Sequence, residues 1–212
     1  PNLGMYIETA VPTLEAAMEF AHFNIDNGVN VSALIVAKGN YAPVVNTAGI
    51  RIIGTCAEET KIIAAPNHDR ALVFAGPGGG SLEHFSVVGA TKGVLIQDTQ
   101  ATLRDVVLTQ RFVETQALDD TDTSITIEDS MIENLTGAIA VTVTDSASLV
   151  MRRSIIRDIE ETQQEVNGEL VSFGGIALHV SKQAPATLED MQIEDSGTGI
   201  ILGHPQDASW RA

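Results

Sequence analysis

A single cysteine, Cys56, stands among 212 residues, so no disulfide forms within the chain. It reads as a small buried apolar side chain, with a bond to a segment outside this sequence as the sharper alternative. Aromatic residues make up only 4% of the chain against 44% hydrophobic residues in all, so the core has to be built from Val, Ile, Leu and Ala. Basic residues are scarce too: 12 Lys plus Arg face 28 Asp plus Glu, a formal charge of -16. That balance argues against nucleic acid, which demands a basic footprint, and it disfavours an anionic membrane surface. No run of about 18 apolar residues occurs, so no segment reads as a membrane-spanning helix. The chain opens at Pro1 with neither methionine nor a leader-like segment, which fits a form whose leader has been removed.

What the chain does contain is a repeat. TLRDVVLTQ from Thr102 is echoed by SLEHFSVVG from Ser81, TIEDSMIEN from Thr126, VMRRSIIRD from Val150 and TLEDMQIED from Thr187. Aligned on Leu82, Leu103, Ile127, Met151 and Leu188, the copies stand 21, 24, 24 and 37 residues apart. The last interval is long because EETQQEVNGELVSF, residues 160–173, is inserted. Periods of this size predict a solenoid. Each copy holds short stretches of apolar–polar alternation, the signature of strands rather than helices. A bend falls between the first two stretches at His84, Asp105, Asp129, Arg153 and Asp190; Asp suits a left-handed turn, whereas Arg is unexpected there. A third stretch, opened by glycine, follows at Gly93, Gly137, Gly175 and Gly199.

Three strands per turn, each stacked on its counterpart in the next turn, make a parallel β-helix. The predicted architecture is all-β, with about seven turns over residues 30–212 and a cap over residues 1–29. The turns start near Val31, Gly49, Gly80, Ala101, Ser124, Leu149 and Ala186. The cap contains a helix: Thr13 is placed to cap it, Glu15 and Glu19 favour its early turns, and Leu14, Ala17, Met18 and Ala21 share a face. A lid of this kind covers strand edges that an open end would expose. At the other end, DASWRA reads as the first strand of a further turn.

PTLEAAMEFA, ALIVAKGNYAP and GIRIIGTCAEETKI, together with the repeat, resemble the opening and body of the right-handed parallel β-helix superfamily typified by pectate and pectin lyases. The resemblance covers nearly the whole chain. It implies the fold, and it implies that a ligand would lie along the outer face of the third strand. It does not imply one activity, because that fold hosts lyases, hydrolases, adhesins and inert scaffolds.

On that outer face the chain places Leu95, Gln97, Glu114, Gln116, Ala140, Thr142, Ala177, His179, Ile201 and Gly203. Glu114, Gln116, Thr142 and His179 are the binding candidates. The face offers neither the convergent oxygens that calcium takes nor a basic residue paired with an anion stabiliser, so lyase chemistry is disfavoured and no catalytic residue is assigned. The richest acidic stretch is ALDDTDT. Asp119, Asp120 and Asp122 are its candidate calcium ligands, against turn-stabilising carboxylates as the plainer reading; Asp98, Asp119 and Asp145 are expected at equivalent corners. His179 and His204, about one turn apart, are a weak metal pair. GPGGG, residues 76–80, is a turn.

Two further outward rows are expected. Glu83, Arg104, Glu128, Arg152 and Glu189 alternate in sign and should form a charge ladder, at roughly 0.2–1 kcal/mol per exposed pair. Ser86, Val107, Met131, Ile155 and Gln192 form a row with an apolar middle, which calls for a cover. The inserted segment folding back over Met131 and Ile155 is the favoured cover, and another protein chain is the rival. The functional expectation is a non-enzymatic module, secreted, periplasmic or on a cell surface, that serves as scaffold or recognises a polysaccharide or protein. The alternatives are a polysaccharide-active enzyme and a subunit packed through Val107, Met131 and Ile155.

Overall fold

The computed structural model describes residues 13–65, 69–76, 78–89, 92–110, 113–116, 122–144, 146–166, 169–181 and 184–203. For Lys92, Gln116, Gln164, Val166, Glu169 and Phe173 it describes the backbone only. A helix, Leu14–Asp26, comes first. Thr13 is extended at its start and its hydroxyl accepts a hydrogen bond from the Ala16 amide at 3.1 Å, satisfying a donor that the first turn leaves without an intrahelical partner. Leu14, Met18 and Ala21 are buried and join the core. Among the described residues no helix is long and apolar enough to cross a membrane.

Among the described residues every regular element after the helix is a strand, and nearly every pairing is parallel. One row runs Ala33–Val36, Arg51–Gly54, Gly80–Val88, Gln100–Thr109, Ser124–Glu128, Ser148–Arg152, Ala186–Glu189. A second row runs alongside. It starts with Gly39–Tyr41 and Thr60–Ile63, crosses the later halves of the two long strands, and ends with Met131–Thr136, Ile155–Val166 and Gln192–Ser196. A separate sheet of seven holds Val44–Asn46, Arg70–Ala75, Lys92–Gln97, Val113–Gln116, Ile139–Val143, Ile176–Val180 and Thr198–Leu202. The chain visits the rows in turn, so each strand pairs with one from the preceding circuit rather than with its sequence neighbour.

The register explains the repeat. Leu82 pairs with Leu103, Leu103 with Ile127, Ile127 with Met151 and Met151 with Leu188. The first four are fully buried. A side chain of this size contributes about 1.5–3 kcal/mol when taken out of water. Parallel columns Val94–Val113–Val141–Leu178 and Leu108–Ile132–Ile156 fill the rest of one continuous core.

The bends are left-handed. His84, Asp105, Asp129, Arg153 and Asp190 all have φ between 47° and 59°. That conformation costs an ordinary L-residue roughly 1–2 kcal/mol, which short polar side chains offset by local bonding. Just past the bend, the Ser130 hydroxyl accepts from the Val106 amide and the Ser154 hydroxyl accepts from the Ser130 amide, each at 3.1 Å. Both hydroxyls donate back to carbonyls two residues earlier, Glu128 at 2.7 Å and Arg152 at 2.8 Å. These buried serines join one circuit to the next where the ladder is interrupted. A second left-handed column, Gln110, Asn134, Asp158 and Asp195, kinks the second row and was not anticipated from sequence. Glycine is needed at Gly49, where a Cβ would sit 2.4 Å from the Gly78 carbonyl oxygen.

The inserted segment corrects an expectation. It is a β-hairpin: the strand Ile155–Val166 runs past its row and returns as Glu169–Gly174, paired antiparallel from Glu161↔Gly174 to Val166↔Glu169. The hairpin pairs with its own strand's extension, and Leu170 is 72% exposed, so it does not fold back as a cover over Met131 and Ile155. The long strand's backbone hydrogen bonds are satisfied by this return, which leaves no reason for the segment to bend inward.

Candidate functional site

The outer faces carry most of the charged residues, and five described arginines, Arg51, Arg104, Arg152, Arg153 and Arg157, are bonded to a carboxylate on a neighbouring strand. Arg104 reaches Glu128 at 2.9 Å, and Arg152 sits between Glu128 at 3.7 Å and Glu189 at 2.8 Å. Glu83 accepts from Arg51 at 3.1 Å and from the Ser81 hydroxyl at 2.8 Å. Burial pushes the Glu83 carboxyl up, but the Ser81 hydrogen bond and the Arg51 guanidinium together outweigh it and hold it below the ordinary range. The bend column pairs as well, His84 with Asp105 at 2.7 Å and Arg153 with Asp129 at 2.7 and 2.9 Å. Arg153 thus holds the Asp129 carboxyl low, while Asp129 raises the guanidinium. A ladder that sequence reasoning missed lies on the second row, where Arg157 binds Glu133 at 2.6 and 3.0 Å. The signal was present: Glu133 and Arg157 are 24 residues apart, the repeat interval.

On the third face three of the four binding candidates, Glu114, Thr142 and His179, share one column. Leu95, Glu114, Thr142, His179 and Ile201 pair in direct succession. His179 is buried, and its Nε2 lies 2.7 Å from the Gly203 carbonyl oxygen, where it donates. Thr142 and Glu114 are half-buried. Gln116 pairs with Gln97 through the backbone, and its side chain lies outside the description. This face is less open than expected: Leu95, Ala140 and Ala177 are buried although their register points them outward. The arrangement offers a hydroxyl, a carboxylate and an imidazole tied to a main-chain carbonyl. It does not align a base with an oxyanion donor.

At the acidic corner, Ser124 pairs with Gln100, which brings the described Asp122 near Asp98. Asp119, Asp120, Asp145 and His204 lie outside the described residues. A cavity of about 500 Å³ opens here between Gly76, Gly78 and Gly79 on one side and Asp98, Gln100 and Asp122 on the other. Its floor is held by the Gly79 amide, which donates to the buried Thr99 hydroxyl at 3.0 Å. Among the described residues, no three His, Cys, Asp or Glu side chains converge as ligands to a metal would.

Val107, Met131 and Ile155 stack directly on one another, between Ser86 and Gln192. All three are half-buried. Comparison with protein-family models, with curated proteins and with solved structures finds no match for this chain.

Proposed function

We propose that the chain is a right-handed parallel β-helix, similar to the pectate and pectin lyase superfamily, that works outside the cytoplasm as a non-enzymatic scaffold or recognition module. The handedness follows from the rule that parallel crossover connections are right-handed in about 98% of cases. The observation that carries the functional reading is the mating of charges from circuit to circuit. Arg104, Glu128, Arg152, Glu189, Asp129, Arg153, Glu133 and Arg157 all spend their charge on a neighbouring rung. Side chains locked in this way hold a rigid shape rather than reorganise around a reacting group.

The partner class this surface favours is a protein. A net charge of -16 repels acidic polysaccharide, and the described outward residues of the third face include no Phe, Tyr or Trp on which sugar planes stack. Candidate contacts are the Glu114, Thr142 and His179 column and the half-buried row Val107, Met131 and Ile155. The test sets turnover against retention. The purified chain is incubated with a panel of plant and microbial polysaccharides, and product ends are measured; in parallel, affinity electrophoresis through the same polysaccharides measures binding. The reading predicts no product above buffer. Steady product release, abolished by Glu114→Gln or His179→Gln, would contradict it and establish the polysaccharide-active alternative.

A further inference from the structure

The last described circuit is unlike the others. Among the described residues, Ala186–Glu189, Gln192–Ser196 and Thr198–Leu202 each pair with a strand on one side only. An edge of that kind presents the N–H and C=O groups on which an added strand builds its ladder. Apolar area lies beside it. Ile200 and Leu202 are 44% and 70% exposed, whereas their register partners Leu178 and Val180 are buried. Leu188 and Ile193 are half-buried above the fully buried Met151 and Ile156.

The charges decide what such an edge suits. The circuit before it carries Arg152, Arg153 and Arg157, and each has an acid on the rung to either side. Arg152 lies between Glu128 and Glu189, and Arg157 between Glu133 and Glu194. Arg153 shares its left-handed bend column with Asp129 and Asp190. Arg153 and Arg157 give hydrogen bonds to the earlier acids, Asp129 and Glu133. Glu189, Asp190 and Glu194, on the later side, are all exposed. The last circuit thus repeats what residues 124–135 offer to the arginine circuit. Leu188 stands in the column of Ile127, Ile193 in the column of Ile132, and the three acids recur in the same order. What residues 124–135 hold is a parallel strand–bend–strand with arginine at those three positions.

We propose that the edge formed by residues 186–196 docks a basic strand of another protein, added in parallel, with apolar side chains over Leu188 and Ile193 and arginine or lysine over Glu189, Asp190 and Glu194. The proposal deepens the protein-partner reading above and rests on it. The net charge of -16 adds long-range attraction for such a partner. A second copy is a poorer occupant. Meeting end to end would set the three acids against their own kind, and the opposite end carries the helix Leu14–Asp26, whose buried face joins the core.

The probe is a synthetic peptide of residues 148–159, SLVMRRSIIRDI, which copies the arginine circuit. Titrated into the full chain in a calorimeter, it should bind one to one. A scrambled peptide of equal charge should not compete with it. The peptide bearing Arg152→Glu, Arg153→Glu and Arg157→Glu should bind about tenfold more weakly or not at all. In the chain, Glu189→Arg with Asp190→Arg and Glu194→Arg should exchange that preference while the circular dichroism stays unchanged. Position is read by disulfide closure in a Cys56→Ser background, since residues opposed on adjacent strands lie about 4.8 Å apart, inside the roughly 4.4–6.8 Å span of a disulfide. Val150 is the register partner of Thr187. The peptide bearing Val150→Cys should therefore close with Thr187→Cys in the chain and not with Thr126→Cys on an interior rung. No binding, binding indifferent to scrambling, equal closure at both positions, or binding only after residues 204–212 are removed would each overturn the proposal, the last by assigning the edge to the chain's own end. Failure of the peptide without polysaccharide turnover removes this surface alone; turnover removes the non-enzymatic reading whatever the peptide does.

Discussion

Arg153 occupies a left-handed bend at φ 47°, in a column otherwise filled by His and Asp. Its tolerance comes from Asp129 one rung away, bonded at 2.7 and 2.9 Å. The pair also sets a pH dependence. Asp129 and Glu83 have carboxyls held below their ordinary values, so the folded chain binds these protons less readily than the unfolded one. Stability from such groups is fully present above the ordinary range near pH 4 and is lost as pH falls through the depressed folded values. The urea midpoint should therefore decline on acidification below about pH 4.5, and Arg153→Ala should flatten that decline. An acid limb unchanged by Arg153→Ala would contradict the assignment. Ser130 allows a sharper test, because its hydroxyl is the buried acceptor for the Val106 amide. Ser130→Ala should cost about 1–3 kcal/mol in urea denaturation, the usual range for leaving a buried donor unpaired. A cost near zero would mean that water replaces the bond.

At the scale of elements, the strands were legible because one face of each is aliphatic and the columns recur at fixed intervals. Leu103, Ile127 and Met151 announce their stacking through spacing alone. The hairpin was legible only as an interruption. Its arms, residues 161–166 and 169–174, bury little where their side chains are described, so they lack the alternation that marks the rows. The pair Asn167–Gly168 between them was the usable signal, since Asn-Gly between strand-forming segments favours a tight hairpin turn. The second left-handed column was partly legible: Asn134, Asp158 and Asp195 are residue types that tolerate this conformation and recur at the repeat intervals, whereas Gln110 has no such preference. Of the candidate site, spacing read the shared column of Glu114, Thr142 and His179. The hydrogen bond that ties His179 to Gly203 depends on side-chain rotamer and could not be read. Because the hairpin stands off the rows, deleting residues 161–173 restores the 24-residue interval. The truncated chain should melt within a few degrees of the parent by circular dichroism; loss of cooperative melting would mean that the hairpin supports the core.

At the scale of the molecule, helix and strands share one core cluster, from Leu14 in the helix to Val180. One core predicts one thermal transition, seen alike by circular dichroism and calorimetry. Leu103→Ala should lower stability by about 2–5 kcal/mol without splitting that transition, since the vacated space lies in the middle of a column. The central claim is that residues far apart in sequence are stacked rung on rung. Lys61, Ser86, Val107, Met131, Ile155 and Gln192 form one outward column. Spin labels on Lys61→Cys and Gln192→Cys, in a Cys56→Ser background, measure its length by electron–electron resonance. Five steps of about 4.8 Å predict a narrow distribution near 24 Å, broadened only by the label linkers; a broad distribution, or a peak well beyond 35 Å, would contradict the stacked architecture.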